Sequence, residues 1–139
     1  MSTFITTGDY LPQIRQYNME DLIDDNPTVV DTAEETAIQM VKDHIYQFYD
    51  VDVVFSQVGA SRHKTVLQWC INITLYLVYE RIADVMKPQS VIDNYKATME
   101  WLKSVAGGEL GVQGLPEITD PNTGSAITVF RWGSNKKRK

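Results

Sequence analysis

The sequence predicts a mainly α-helical protein: a small bundle of three long helices, with a short N-terminal helix before it and an extended C-terminal arm after it. Three observations carry this prediction. Apolar residues recur at three- and four-residue steps over residues 28–48. Residues 62–85 are apolar around most of a helical circumference, and a third apolar stripe follows Pro88 and stops at Gly107-Gly108. The 139 residues suit one domain with a real core. A content of 43% hydrophobic and 22% charged residues argues against disorder of the whole chain.

At the N-terminus, Thr6 is placed to cap a short helix over residues 8–16, with Asp9 three positions later. Pro12 is tolerated there only near the first turn, and Asn18 is a suitable stop. The acidic residues 20–27 read as a connection. The first long helix, residues 28–48, places Val30, Ala33, Ala37, Val41, Ile45 and Phe48 on one face. Glu34, Glu35, Lys42 and Asp43 fall on other faces, where the carboxylates are expected to be solvated. Val51, Val53 and Phe55 then alternate, which predicts a short extended piece. Ser61 is the expected N-cap of the second long helix, residues 62–85. A helix that greasy on all sides must be surrounded, so it is expected to be the central post of the domain. Its β-branched residues would suit a strand, but its length favours a helix.

Pro88 is suited to open the third helix as its first residue. Ile92, Tyr95, Met99, Leu102 and Val105 form its stripe, and Gly107-Gly108 supplies the left-handed cap. Beyond residue 110 the composition changes to turn residues. Asp120-Pro121-Asn122-Thr123-Gly124 is a turn by its chemistry, and residues 126–132 read as a strand. This divides the chain into a helical domain, residues 1–110, and an arm with a basic end, residues 111–139. A lone strand or hairpin is not stable, so the arm must pack on the helices or on another molecule.

The net charge of −5 hides an asymmetry. Residues 1–52 hold 11 acids and two bases, whereas residues 53–139 hold 11 bases and seven acids. Oppositely charged ends favour head-to-tail contact between copies or docking on a charged partner, and two solvated surfaces are the plainer reading. Lys136, Lys137, Arg138 and Lys139 could attract phosphate backbones. The one cysteine, Cys70, rules out an internal disulfide and a Cys-based metal site, and suits a reducing cytoplasm. No basic-then-apolar leader and no span long enough for a bilayer is evident, so a soluble protein is expected.

The search for catalytic chemistry finds little. His44 and His63 lack metal-ligand spacing and read as surface or capping residues. Cys70 lies mid-way along the most apolar helix and reads as packing. Asp24-Asp25 lacks the alternating spacing of a calcium loop. There is no phosphate-binding glycine loop and no Gly-x-Ser-x-Gly elbow. The expectation is a protein that is not an enzyme and needs no cofactor or metal.

Particular residues carry a likeness. They are Phe4-Ile5-Thr6 and Asp9-Tyr10-Leu11, then Ala37, Ile45 and Phe48-Tyr49. Next come Leu67, Ile71, Ile73, Tyr76-Leu77 and Tyr79-Glu80-Arg81, and last Pro88, Tyr95, Met99, Trp101-Leu102 and Gly107. Over residues 4–110 the chain resembles the short head–tail joining proteins of tailed phages and prophages, a Mu-type family related to the helical adaptor rings under the portal. It departs from that pattern at Asp50-Val51-Asp52-Val53, where relatives often carry proline, and the region beyond Gly111 has no matching counterpart. The resemblance implies a structural virion protein at the head–tail junction, made in the host cytoplasm. It implies a ring, commonly of twelve copies, that binds the portal and the next neck or tail protein, lets double-stranded DNA pass, and has no enzymatic activity. On this reading the arm docks on a partner, with Phe130 and Trp132 as anchors beside Ile127, Val129 and Arg131, and with the basic Lys136, Lys137, Arg138 and Lys139 at its end. A rival reading is a small nucleic-acid-binding regulator that uses the basic tail.

Overall fold

The structure, a computed structural model, describes residues 4–10, 27–81 and 87–118. Helix α1 spans Pro27–Ile45, a short helix α2 spans Val51–Ser56, α3 spans Lys64–Arg81 and α4 spans Gln89–Ala106. Single 3-10 turns occupy Thr7–Tyr10 and Gly59–Ser61. The expected strand at residues 126–132, the turn at 120–124 and the anchor residues of the arm lie outside the described residues, as do residues 11–16 of the N-terminal helix.

The three long helices pack pairwise, with α3 against both α1 and α4, and α1 also against α4. Helix α3 is the central post that its composition predicts. Nine of its eighteen residues are buried, spread around its circumference. The α1 stripe packs on it as expected, with Val30, Ala33, Ala37, Val41 and Ile45 all at most 4% exposed. Each fully buried aliphatic side chain contributes about 1.5–3 kcal/mol through removal of its surface from water. Helix α4 buries Leu102 and Val105, and Met99 and Tyr95 pack against the same core. Its end follows glycine chemistry: Gly108 takes φ +78°, its N–H donates to Val105, and the Glu109 N–H donates to Ser104. That pair of bonds is the Schellman arrangement, in which a left-handed residue satisfies the last carbonyls of a helix.

Three local expectations are corrected. The alternation of Val51, Val53 and Phe55 gives a helix, α2, rather than an extended piece. Asp50 decides it, because its side chain accepts from the Val53 N–H at 3.3 Å and caps the turn, while Val54 rather than Val53 is buried. Ser61 does not cap the next long helix; it closes a 3-10 turn, and α3 starts two residues later than expected. The cap is His63, whose Nδ1 accepts a long bond of 3.4 Å from the Val66 N–H. Glu34, expected among solvated carboxylates, has no exposed surface.

The burial of Glu34 follows from the N-terminal segment. Phe4, Ile5 and Tyr10 lie in the core, and the Tyr10 hydroxyl donates to Glu34 Oε2. Burial first, and then the Glu34 carboxylate, push the Tyr10 phenol far above its ordinary value, so it remains a donor. The segment is also clamped from the other side. Arg62 Nη1 donates to the Phe4 carbonyl at 2.7 Å, and its guanidinium holds Asp9 bidentately, the Nη2–Oδ1 bond being 3.1 Å. Asp9 also accepts from Thr6 N–H at 2.7 Å, the capping contact that the spacing of Thr6 and Asp9 predicts.

Removing the phenol should uncover a buried acceptor. Tyr10→Phe is expected to cost about 1–3 kcal/mol, read as a lower urea midpoint. Combining it with Glu34→Met should cost clearly less than the two single changes added together. Burial would raise the Asp9 carboxyl, but the bonds from Arg62 and Thr6 and the Arg62 charge outweigh it and hold it below the usual 3.8. A carboxyl depressed on folding contributes stability that is complete above its unfolded value and is lost as pH falls through its folded value. Asp9→Asn should therefore flatten the decline of stability below about pH 4, and an unchanged acid limb would refute this role for the clamp.

Candidate partner-docking surface

The residues singled out for partner binding, Ile127, Val129, Phe130, Arg131, Trp132, Lys136, Lys137, Arg138 and Lys139, all lie outside the described residues. The structure does place the segment that leads to them. Residues 111–118 are held on the helical body where α1 ends and α2 begins. The Val112 N–H donates to the Tyr49 hydroxyl at 2.7 Å, and the Asp50 N–H donates to the Pro116 carbonyl at 2.9 Å. Tyr49 and Glu117 form an isolated antiparallel bridge, and Leu115 is buried. Burial raises the Tyr49 phenol, which suits a neutral hydroxyl that accepts from Val112.

His63 completes this anchorage. Its Nδ1 accepts from Val66, so the proton sits on Nε2, which donates to the Gln113 carbonyl at 2.8 Å. One imidazole thus caps α3 and ties down the root of the arm. Gly114 permits the approach: its φ is +89°, and a Cβ there would come within 3.4 Å of His63 Nε2. The capping half of this role is legible in the sequence, since His63 stands at a helix start. The tie to Gln113 joins residues fifty apart and has no local signal. His44 spends its Nδ1 on the Met40 carbonyl one turn back in α1, at 2.7 Å.

Two concavities bear on docking. A cleft of about 440 Å³ lies between α2 and the arm root, lined by Val53, Gln57, His63, Leu115 and Pro116. A groove of about 310 Å³ lies between α3 and α4, with Trp69 on its floor and Trp101 on its rim. The two indoles meet edge to face at 5.4 Å. Trp101 is 45% exposed, and Trp69 Nε1 is buried with no hydrogen-bond partner among the described residues. Trp101 stands one position from the Leu102 of the buried stripe, and the stripe alone gives no hint that the indole faces out. At the far end of the same helix pair, Tyr76 and Tyr95 stack at 3.9 Å, and Lys87 covers Tyr76 while pairing with Glu80 at 2.9 Å. The bond from Lys87 and its charge lower the Glu80 carboxyl.

Among the described residues, no cluster of three metal-ligating side chains occurs and no helix is long and apolar enough to cross a membrane. Cys70 is buried in α3, and burial drives its thiol well above the ordinary range.

His63 can be divided by substitution. His63→Asn should keep a side-chain acceptor for the start of α3 and lose the bond to Gln113. Hydrogen exchange at residues 112–115 is expected to quicken at least tenfold while exchange along α3 stays within a factor of about three. Equal acceleration in both would show that the imidazole serves the helix alone.

A family model described as "Bacteriophage Mu, Gp36" matches residues 4–129. The match passes residue 110, where the likeness read from individual residues stops, and includes the anchored root of the arm. Comparison with curated proteins and with solved structures gives no match. With most of its length matched, from the N-terminal segment through all four helices and into the arm, this chain belongs to the phage Mu Gp36 family and is a phage-associated protein.

Proposed function

We propose that this protein is a structural subunit of the phage neck, assembling as an adaptor ring between the portal and the tail or next neck protein. The observation that carries the reading is the fixed root of the arm, where the Val112 N–H is bonded to Tyr49 and the Gln113 carbonyl to His63. A helical body from which the chain continues at a fixed point is suited to docking on a neighbouring protein edge. Family membership supplies the phage context. Phe130 and Trp132 would act as anchors, since large aromatics carry most of the energy at such contacts.

A ring that passes DNA must not grip phosphates. The acidic first part of the chain is suited to that task by repulsion. Not all of its acids are available, because Glu34 lies in the core and Asp9 is held by Arg62. Those that remain include Asp52, which is exposed on α2.

Co-expression with the portal protein of the same genome, followed by electron microscopy, tests the proposal. A ring of additional density on the portal's narrow end is the expected outcome. A bare portal, with this chain eluting separately and binding DNA in a salt-sensitive way, would favour the regulator instead. Removing residues 119–139 leaves the anchored root intact and should abolish docking. Trp132→Ala should weaken it by roughly thirtyfold, as expected for an aromatic anchor worth about 2 kcal/mol.

A further inference from the structure

We infer that the groove between α3 and α4 receives a second copy of this chain, specifically the outward face of its helix α1, with Tyr46 inserted beside Trp101. This rests on the ring assembly proposed above and names the surfaces that would form it.

The receiving side leaves a large apolar surface uncovered in the single chain. Trp101 is 45% exposed on the rim, edge to face with the buried Trp69 beneath it. The amides of the floor are already satisfied: Gln68 Nε2 donates to Asn72 at 3.0 Å, and Asn72 Nδ2 donates to Thr98 at 2.9 Å. The groove's volume of about 310 Å³ suits one inserted aromatic ring rather than a long peptide. Its charged lining is Lys64, with no carboxylate.

The inserted side is complementary. Glu35, Gln39, Asp43 and Tyr46 succeed one another by four, four and three residues, so they form one stripe along the end of α1. All four are exposed, and Tyr46 is 55% exposed, among the largest apolar surfaces presented by the described residues. The stripe carries two carboxylates and no base. A tyrosine offers a ring to stack on Trp101. Asp43, one turn earlier, comes within reach of Lys64.

The geometry makes the contact head-to-tail. Helix α1 touches both α3 and α4, so its solvent face points away from them, and the outer α3–α4 groove lies on the opposite side of the body. Two different surfaces on opposite sides cannot pair isologously. Each copy therefore offers one of each, which generates a ring when the rotation closes.

The test places the photo-cross-linker p-benzoylphenylalanine at position 101 of the full chain, in the complex co-expressed with the portal. Half of the copies carry heavy nitrogen, so links between copies are told from links within one. The expected product joins position 101 to a peptide from residues 27–47 of another copy. Tyr46→Ala should lower its yield at least tenfold. Asp43→Lys should lower it several-fold, and adding Lys64→Glu should restore most of it. Links to the same copy's residues 119–139, or to the portal alone, would overturn the inference. An assembled ring without the inter-copy link would overturn it while leaving the adaptor reading in place. A chain that assembles with nothing would overturn both.

Discussion

The carboxylate of Glu34, enclosed on the core side of α1 and bonded to Tyr10, is the constraint around which the N-terminal half is arranged. A carboxylate withdrawn from water needs donors close by, and a phenol kept protonated by the same burial provides one. For Tyr10 to reach α1, residues 4–10 must lie across the helices, which brings Phe4 against Phe55 at 4.7 Å and puts Ile5 in the core. Arg62 then fixes the segment from the far side through the Phe4 carbonyl and Asp9. Polar contacts choose the path of this strap, and apolar burial holds it there. Removing one member of such a network leaves its partners unsatisfied, so its members act as a unit.

Much of the helical frame could be read from the sequence because periodicity reports burial directly. The stripes of α1 and α4 and the all-round apolarity of α3 each follow from which faces must meet other helices. Gly107-Gly108 marked the end of α4 because few residues adopt positive φ without strain. What was not legible depends on partners far apart in sequence. Glu34 looks like any acid beside Glu35 until Tyr10 is seen against it. His63 reads as a surface or capping histidine, and nothing local points to Gln113, fifty residues away. The alternation at Val51, Val53 and Phe55 misled because three positions are too few to separate a period of two from a helical turn, and the cap from Asp50 outweighed it. The aromatic and basic residues that the sequence marks in the arm lie outside the described residues. The groove at Trp101 arises from two helices meeting and leaves no trace in either one.

The two sides of the helical body differ in what they expose. The outward face of α1 presents acids and Tyr46, and the groove between α3 and α4 presents Trp101. Stability alone does not account for either, since an indole on a rim and a tyrosine in solvent add little to a monomer.

The anchorage of residues 111–118 fixes the point at which residues 119–139 begin. Trp132 stands fourteen residues beyond Ile118, so it cannot lie farther than about 50 Å from that point however the chain runs. Any surface it engages must fall inside a sphere of that radius centred near Tyr49. The two side chains that pin the root, Tyr49 and His63, thus set the centre of the volume that Trp132 can reach.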